Sequence, residues 1–340
     1  MKWYSDKRSC DGVVLSSRVR LARNLEEYPF PKKCTPQDKV RVCEKIKEAV
    51  ENHICERFNY INMNSLSEIQ LGVLAEDHLV SHEFCEGDLS GRMLITDENN
   101  TLSVMVNEED HLRIQSIVPG LDIEGAFKKA ESFDRAVSLG ASVAFDEKLG
   151  YLTSCPTNLG TGMRASVMLH LPAMTSCGQI KSMINLMTKI GLTVRGMYGE
   201  GSDADGCLYQ LSNQVTLGIS ESDAIEKLAD AVNQISEREK QLRETLLSGG
   251  GIDFEDSICR SYGILKYAKK LSSREFIKLW SDVRFGVESG VIKDIDGVNL
   301  TRLLVEVMPA HIVEKYGSAE NSSSSFRDIK RAEIAKSYLG

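Results

Sequence analysis

Five arginines in four separate segments are the residues whose type and spacing most suggest chemistry: Arg18, Arg20, Arg113, Arg164 and Arg195. A guanidinium group is a planar fork that can bind two phosphate oxygens at once. Arg18 and Arg20 are two residues apart on an extended segment, so their side chains should point to the same side. One arginine alone is more often a solvated residue at a sheet edge. Together, on an acidic chain, the five predict a cage for one polyanion.

Carboxylates and a cysteine accompany these arginines in the sequence. Glu108–Asp110 come shortly before Arg113, Glu200 lies in the glycine-rich stretch 196–206, and Cys155 begins a second loop that contains glycine. An acidic run is usually a solvated turn, and a buried cysteine is usually a small hydrophobic residue. The alternative interpretation is that the glutamates seat a cation beside the polyanion.

The composition excludes several classes of partner. The 340 residues are 42% hydrophobic and carry a net charge of -8, which argues against binding to nucleic acids or anionic membranes. No apolar run approaches the ~20 residues of a membrane-spanning helix, and the N-terminus lacks the apolar core of a signal peptide. Nine cysteines at irregular spacing predict a reducing cytoplasm rather than disulfides or structural zinc. His78 and His82 have no third ligand nearby, so no metal site is predicted.

The patterning predicts an α+β fold with a mainly antiparallel sheet flanked by helices. Strands are expected at 92–96 and 102–106, around a hairpin turn at 97–100, and a third at 111–118. Further strands are expected at 164–171, 192–196 and 208–217, and short returns between strands favour antiparallel pairing.

Helical spacing of apolar residues separates these strands and dominates the C-terminal quarter of the chain. Thr35 followed by Pro36 is typical of a helix N-terminus. Helices are predicted over the following segments: 36–54, 123–133, 180–190, 220–247, 256–271, 273–289, 299–308 and 325–338. Ser248–Gly251 is the best internal boundary, and 321–325 is a short serine-rich joint before the last helix. Two domains are therefore expected, a catalytic one over 1–247 and a small all-helical one over 252–340.

Several of these segments, taken together, resemble the phosphagen kinase family, the ATP:guanido phosphotransferases that include creatine and arginine kinases. The similarity rests on Asn107–Arg113 (NEEDHLR), Cys155–Ser166 (CPTNLGTGMRAS) and Arg195–Glu200 (RGMYGE), and it extends over roughly residues 12–240. The chain resembles most closely the bacterial branch whose members phosphorylate arginine in proteins. Ser16–Asn24 (SSRVRLARN) and Arg327–Ala332, which fits an RDxxRA motif, are typical of that branch.

The resemblance implies a role for each matching residue. The five arginines would grip the phosphates of ATP, His78 would lie by the adenine, Glu109 and Glu200 would hold the guanidinium substrate, and Cys155 would lie beside it. The matching segments add further residues to the implied ATP site: Ser16, Ser17, Val19, Ala165, Ser166, Val167, Met168, Gly196, Met197, Tyr198, Gly199 and Glu200. No two-acid metal site is evident, so Mg²⁺ would be bound mainly through ATP. The RDxxRA motif implies an allosteric phosphoarginine pocket formed by Arg327, Asp328 and Arg331.

The function that the resemblance implies is ATP-dependent phosphorylation of arginine side chains in proteins. It implies a cytoplasmic stress-response role, with protein substrates that include a heat-shock repressor, marking of proteins for a Clp ATPase and protease, and an activator protein. A homodimer is left open. Two alternatives are a kinase of a free guanidino compound and a catalytically silent adaptor that binds a repressor or chaperone. The Ser16–Arg20 motif lies too near the N-terminus to be preceded by the helical domain of the small-molecule kinases, which disfavours the first. Retention of both glutamates and all five arginines disfavours the second.

Overall fold

An antiparallel sheet lies at the centre of the computed structural model, which describes residues 2–10, 12–196, 205–293, 295–317 and 322–340. Its strands, with a separate hairpin formed by β6 and β7, are β1 (Val14–Arg23), β2 (Phe58–Asn62), β3 (Met93–Asp97), β4 (Leu102–Val106), β5 (Leu112–Pro119), β6 (Phe145–Asp146), β7 (Gly150–Tyr151), β8 (Met163–His170), β9 (Leu192–Gly196) and β10 (Leu208–Asn213). The order across the sheet is β2-β3-β4-β5-β1-β8-β10-β9, and every neighbouring pair is antiparallel. The predicted antiparallel sheet is confirmed, with β1 near its middle.

The helices lie between and after the strands in the sequence and pack against the sheet. They are α1 (Pro36–His53), α2 (Glu68–Glu76), α3 (Ile123–Gly140), α4 (Pro172–Ser176), α5 (Ile180–Lys189), α6 (Glu221–Tyr267), α7 (Ser273–Glu288), α8 (Gly297–Glu306), α9 (Pro309–Tyr316) and α10 (Ser324–Leu339). The predicted start of α1 is confirmed, because the Thr35 side chain accepts from the Asp38 backbone and the Asp38 carboxylate accepts from the Thr35 backbone. This reciprocal capping box satisfies two backbone donors that the first turn of a helix leaves open.

The main hydrophobic core lies on one face of the sheet, under α1, α3 and the first half of α6. Val19 and Leu21 of β1 are buried there with Ala165 and Val167 of β8. Successive residues of a strand point to opposite faces. Because Val19 and Leu21 are anchored in this core, the alternating residues 18, 20 and 22 of β1 must lie on the other face.

The C-terminal helices pack around a second core, centred on the fully buried Trp280. Leu15 and Leu208 from the sheet join this second core, so the helices rest directly on the strands. The predicted boundary at Ser248–Gly251 lies inside α6, whose backbone departs from helical geometry only at Gly251, at φ 52° and ψ -150°. Among the described residues no helix is long and apolar enough to cross a membrane.

Several structural elements were not predicted, and one strand is shorter than predicted. The strand β2, the hairpin of β6 and β7, and the helices α2, α4 and α9 are present in the structure without having been expected. The strand predicted over 208–217 ends at Asn213. Beyond it the chain turns towards the loop of residues 155–162, where the Thr216 hydroxyl donates to the carbonyls of Thr157 and Leu159.

Candidate active site

The strand register brings the arginines of distant segments onto one face of the sheet. Arg20 of β1 lies directly opposite Arg164 of β8, and Arg18 lies opposite Ser166. On the other side of β1, Ala22 lies opposite Arg113 of β5. Directly opposed residues in an antiparallel pair point to the same face. Four arginines from three strands therefore share the face that is not packed against the main core.

Arg195 completes the arginine face from the far edge of the sheet. It lies opposite Gln210 of β10, which itself lies opposite Met168 of β8. The Gln210 side chain accepts a hydrogen bond from Arg18 Nη2 at 3.1 Å, which shows that the side chains of β1 and β10 meet above the sheet. The predicted cage of five arginines is thus geometrically assembled, although the segments that supply it span nearly 180 residues of sequence.

A cavity of about 570 Å³ lies over this face and is lined by all five arginines. His78 and Ser16 line it as well, together with the predicted residues Ser166 and Met168. The side chains of Val19, Ala165 and Val167 lie in the main core on the opposite face. Ser17 is fully buried, and its hydroxyl donates to the Gly120 carbonyl. Within the predicted segments, the alternation of the strands thus separates cavity-lining from structural side chains.

The arginines are held at an electrostatic cost. Burial, with Arg113 and Arg164 close by, lowers the pKa of Arg18 to about 10. Burial and the three neighbouring guanidinium groups lower the pKa of Arg20 well below its usual value. Among the described residues, nothing accepts a hydrogen bond from the buried Arg20 Nε. Like charges in a poorly solvated site disfavour the charged form. A bound polyanion would remove this cost.

A second cavity, of about 150 Å³, adjoins the first and shares three of its arginines: Arg20, Arg113 and Arg164. Its other walls include acidic and sulfur side chains: Glu108, Glu109, Asp110 and Cys155. The Cys155 Sγ lies 3.0 Å from the Thr157 hydroxyl, a neighbour that the sequence analysis did not single out. A small cationic group in this cavity would lie between carboxylates and the polyanion site, as the sequence had suggested.

The two glutamates of the acidic run have different surroundings. Burial raises the pKa of Glu108, but its ion pair with Arg113 at 2.5 Å and the Ser81 hydroxyl outweigh burial and lower the pKa overall. The pKa of Glu109 is raised, by burial and then by repulsion from Asp110 and Glu108. A carboxylate with a raised pKa is the better proton acceptor. Of these two glutamates, Glu109 is therefore the better suited to accept a proton.

The rest of the Asn107–Arg113 segment builds the site without lining the larger cavity. Buried Asp110 accepts hydrogen bonds from Asn24 Nδ2 at 2.6 Å and from the Ser154 backbone at 2.7 Å, which holds the cysteine loop against β1. His111 Nδ1 accepts from the Leu25 backbone. Asn107 adopts a positive φ of 63° and donates to two backbone carbonyls. These positioning roles are not visible in the sequence, because every partner is distant along the chain.

Glycine is required where the cysteine loop meets its neighbours. Gly160 has a φ of 100°, and a Cβ there would lie 2.1 Å from the Thr216 carbonyl oxygen. At Gly162, with a φ of 61°, a Cβ would lie 2.6 Å from the guanidinium of Arg23. Arg23 is structural, since it forms a buried 2.8 Å ion pair with Asp134. Only glycine allows this loop to pack tightly enough to place Cys155 in the smaller cavity.

Two further parts of the predicted site are the segment 196–200 and His78. Met197–Glu200, which include the predicted Glu200, lie outside the described residues, and Gly196 is the last residue of β9. His78 adopts a positive φ of 61°, and burial next to Arg18 lowers its pKa to about 4, so the imidazole is neutral at pH 7. A neutral imidazole has one hydrogen-bond donor and one acceptor, so it suits a polar aromatic ligand better than a charged imidazolium would.

The RDxxRA segment lies on α10, in the C-terminal helices. Arg331 is buried, and its guanidinium donates to the carbonyls of Val307 and Leu271 and pairs with Asp328 at 2.9 Å. Arg327 donates to the Ser322 carbonyl at the exposed start of the helix. The segment therefore combines one arginine bound to the helical core with one near the surface.

No group of three or more potential metal-ligating side chains occurs in the parts of the chain that the structure describes. Each of the eight cysteines whose side chains are described is free. The arginine-lined cavity and the carboxylate-lined cavity share three arginines, an arrangement suited to moving a phosphoryl group to a cationic acceptor.

Comparison with known proteins identifies the family. Residues 41–242 match the model of the ATP:guanido phosphotransferase C-terminal catalytic domain, and residues 251–340 match that of the protein-arginine kinase McsB C-terminal domain. The chain belongs to the ATP:guanido phosphotransferase family, as its motifs predicted.

Individual relatives agree with this assignment. A protein-arginine kinase of Halothermothrix orenii is 42% identical over 99% of this chain and 96% of its own length. One of Caldanaerobacter subterraneus subsp. tengcongensis is 44% identical over 96% of this chain and 97% of its own. Among solved structures, the duplicated taurocyamine kinase of Schistosoma mansoni matches with a TM-score of 0.63 at 27% identity, over 80% of this chain and 39% of that one. A lombricine kinase, at 24% identity and a TM-score of 0.61 over 72% of this chain and 70% of its own, shares the fold.

Proposed function

We propose that this chain transfers the γ-phosphoryl group of ATP to arginine side chains of proteins. The observation that carries the proposal is its similarity, over nearly its whole length, to proteins named protein-arginine kinases, together with the match of residues 251–340 to their C-terminal domain. The geometry supports it, because the arginine face and the carboxylate-lined cavity share Arg20, Arg113 and Arg164. A phosphate held at this boundary would lie between donor and acceptor.

The residues would divide the chemistry as follows. The five arginines neutralise the phosphates, and Glu109 orients the acceptor guanidinium and takes a proton from it. As the new N–P bond forms, the bond from the γ-phosphorus to the bridging oxygen breaks and ADP leaves. Glu200 is proposed as the second carboxylate and Cys155 as a neighbour of the acceptor. Guanidinium is a poor nucleophile while protonated, so the raised pKa of Glu109 favours this role.

Magnesium fits the site only through the nucleotide. The larger cavity is cationic, and the described residues provide no cluster of metal ligands. A hard cation that prefers oxygen ligands would therefore be held by ATP phosphates and water. It would add charge neutralisation to that supplied by the arginines.

The wider role is proposed from the resemblance to the protein-arginine-kinase branch. It comprises a cytoplasmic stress response in which phosphoarginine marks proteins for a Clp protease and a heat-shock repressor is a substrate, with an activator protein as partner. We also propose the division into a catalytic domain, 1–247, and a helical domain, 252–340. The two family matches end and begin near that division, at residues 242 and 251.

A phosphoarginine pocket at Arg327, Asp328 and Arg331 is proposed as a regulatory site. Phosphoarginine carries adjacent opposite charges, which suit a neighbouring arginine and aspartate. Because Arg331 is bound to the helical core, the test uses Arg327→Ala with Asp328→Ala. We expect this double variant to lose phosphoarginine binding in a calorimetric titration and to keep its ATP affinity. Undiminished phosphoarginine binding would remove the motif from the proposal.

The catalytic proposal is tested by mass spectrometry of a model protein incubated with this chain and MgATP. Samples must stay non-acidic, because N–P bonds are acid-labile. We expect phosphate on arginine nitrogen and no transfer to free arginine, and no product with the matched variant Glu109→Gln. Transfer to free arginine alone would instead indicate a small-molecule kinase. Protein binding without any transfer would indicate an adaptor.

A further inference from the structure

One side of the larger cavity is apolar and is built from three distant segments. Its side chains come from the N-terminus, from the end of α2 and from the junction of α8 and α9: Trp3, Ala75, Val80, Leu304, Val305, Met308 and Pro309. Only the second segment lies inside the part that matches the catalytic-domain model, residues 41–242. The C-terminal helices and the extreme N-terminus thus supply most of this apolar wall.

Trp3 links the wall to the sheet and to α8. It is only 5% exposed, and it packs in one small cluster with Tyr4, Ile117 of β5 and Val305 of α8. Its ring centroid lies 6.2 Å from that of His78, with the planes tilted by 41°. An indole, an imidazole and aliphatic side chains therefore line the same side of the cavity, which gives this side flat apolar surfaces.

Two carboxylates next to His78 fix the three segments to one another. The buried Asp77 accepts from Lys2 Nζ at 2.7 Å and from the Tyr4 hydroxyl at 2.9 Å, and it lies 3.2 Å from His311 Nε2. Glu76 accepts from the backbone nitrogens of Ala310 and His311, at 2.8 and 3.0 Å. These are unpaired donors of the first turn of α9, so Glu76 acts as its cap from a remote segment.

The contact between α2 and α9 is also close in steric terms. A Cβ at Gly72 of α2 would lie 2.8 Å from the Ala310 Cβ of α9, so the two helices approach as near as glycine permits. The position of α9, and with it that of Met308 and Pro309, is thus set by packing and by backbone capping. This is a preformed wall.

We infer that Trp3 and the α8–α9 junction form the nucleobase-binding wall of this enzyme, so that the C-terminal helical region is part of the nucleotide site. A nucleotide has a flat, weakly polar base at one end and a polyanion at the other. The cavity likewise combines an aromatic and aliphatic wall with an arginine-lined face. The inference rests on the family's phosphoryl donor, ATP, and not on the proposed identity of the acceptor.

A consequence is that nucleotide affinity depends on residues outside the catalytic-domain match. Met308 is the most suitable residue to test, because it is half-buried and lines the cavity at the start of α9. Truncating a side chain that covers a base removes apolar burial, which we expect to weaken ADP binding roughly tenfold. Inorganic tripolyphosphate contacts only the arginine-lined face, so its affinity should not change.

The first experiment titrates ADP and tripolyphosphate, separately and by calorimetry, into the full-length chain. The variants are Met308→Ala, Trp3→Ala and Met308→Leu, with Val313→Ala of α9, which is outside the cavity lining, as the matched control. Weaker ADP binding with unchanged tripolyphosphate binding in both alanine variants, and recovery in Met308→Leu, supports the inference. Wild-type ADP affinity in both alanine variants overturns it, as does equal weakening of both ligands in Met308→Ala.

A second measurement follows tryptophan emission and does not depend on a variant with weakened nucleotide binding. The chain has two tryptophans, and Trp280 is buried in the C-terminal core with its indole nitrogen bound to the Leu300 carbonyl. In Trp280→Phe the emission comes from Trp3 alone. ADP should change that emission with saturation at its calorimetric Kd, whereas tripolyphosphate should not. An unchanged emission at saturating ADP places the base elsewhere and overturns the inference.

These tests are independent of the acceptor. They measure binding without turnover. Phosphorylation of free arginine alone would therefore contradict the proposed function and leave the inference about the nucleobase-binding wall standing. Conversely, protein-arginine phosphorylation by a chain whose Met308→Ala and Trp3→Ala variants bind ADP normally would defeat the wall alone.

Discussion

Two clusters of charged side chains in this molecule are built in opposite ways. On the site face, Arg18 and Arg20 lie among other guanidinium groups. At the contact between the sheet and the C-terminal helices, Arg243 lies between two carboxylates. It pairs with Glu239 at 2.8 Å and with Glu288, and it also donates to the His170 carbonyl. The first cluster concentrates positive charge, and the second neutralises it.

The pKa shifts of the two clusters differ accordingly. Burial and like charges lower the pKa values of Arg18 and Arg20. Burial also lowers the pKa of Arg243, but attraction by Glu288 and Glu239 outweighs it, so the net shift is upward. A paired buried charge contributes to the integrity of a fold, and removal of one partner is strongly destabilising. An uncompensated cluster destabilises the empty protein and is retained for the anion that it binds.

The largest effect on activity should come from neutralising Glu109, a carboxylate that belongs to neither cluster. Glu109→Gln keeps the size of the side chain and removes the proton acceptor, so kcat should fall by about 10²–10⁴. Because burial and neighbouring acids raise the pKa of Glu109, its carboxylate does not stabilise the fold, and the free energy of unfolding should not decrease. Rapid-quench turnover and urea denaturation measure the two quantities. Near-normal kcat would remove Glu109 from the mechanism.

The comparison itself is tested by one alanine in each cluster. Arg20→Ala should lower kcat/KM for ATP by about 10²–10³ and leave the free energy of unfolding equal or higher. Arg243→Ala leaves Glu239 and Glu288 without their shared cation, which should cost about 3–5 kcal/mol of stability while activity per folded molecule persists. Urea denaturation and steady-state kinetics on both variants decide the matter. If both variants lost stability alike, the two clusters would not differ as described.

The sequence could predict that Arg18 and Arg20 share a face, because strand alternation is local. It could not predict that Arg20 lies opposite Arg164, since register depends on pairing between segments that are far apart in the chain. The sequence predicted the five arginines as one cage, but without this register. The family resemblance singled out Glu109 within the acidic run, whereas the residue types alone could not show that Glu108 pairs with Arg113.

The elements missed by the sequence analysis have physical explanations. In α2 the apolar residues are spread around the helix, so no amphipathic stripe marks it. Helix α9 lacks a local side-chain cap, and the groups that satisfy its first turn come from Glu76, more than 230 residues earlier. Both helices are fixed by tertiary contacts. The apolar wall of the cavity depends on this pair, which is why pattern analysis did not find it.

Cys155→Ser is a smaller change on the site side of the comparison. The side chain lines the smaller cavity and lies 3.0 Å from the Thr157 hydroxyl, so the substitution should lower kcat several-fold without lowering the melting temperature. Serine is close in size, and Cys155 belongs to neither hydrophobic core. Thr157→Val provides a matched control that removes the neighbour but keeps the sulfur. A lower melting temperature with unchanged kcat would make Cys155 a packing residue.

The smallest predicted effect concerns pH and the neutralised cluster. His170 is fully buried, its Nε2 lies 2.8 Å from the Ser281 hydroxyl, and burial with Arg284 and Arg243 nearby lowers its pKa well below 6.5. The folded state then binds fewer protons than the unfolded state, so this residue's contribution is fully present above about pH 6.5 and is lost as pH falls below it. The loss approaches roughly 1.4 kcal/mol per pH unit below 6.5.

His170→Gln should therefore flatten the fall in unfolding free energy between pH 6.5 and 5.5, even if the variant is less stable at pH 7.5. Glutamine can keep a hydrogen bond to Ser281 and cannot take up a proton in this range. Urea denaturation at the three pH values gives the slopes, and His78→Gln is the matched control. Because His78 lies by the nucleotide cavity, a saturating polyphosphate should change the pH slope that depends on His78 and not the one that depends on His170. Equal slopes in wild type and His170→Gln would show that His170 is not the acid-sensitive group of this interface.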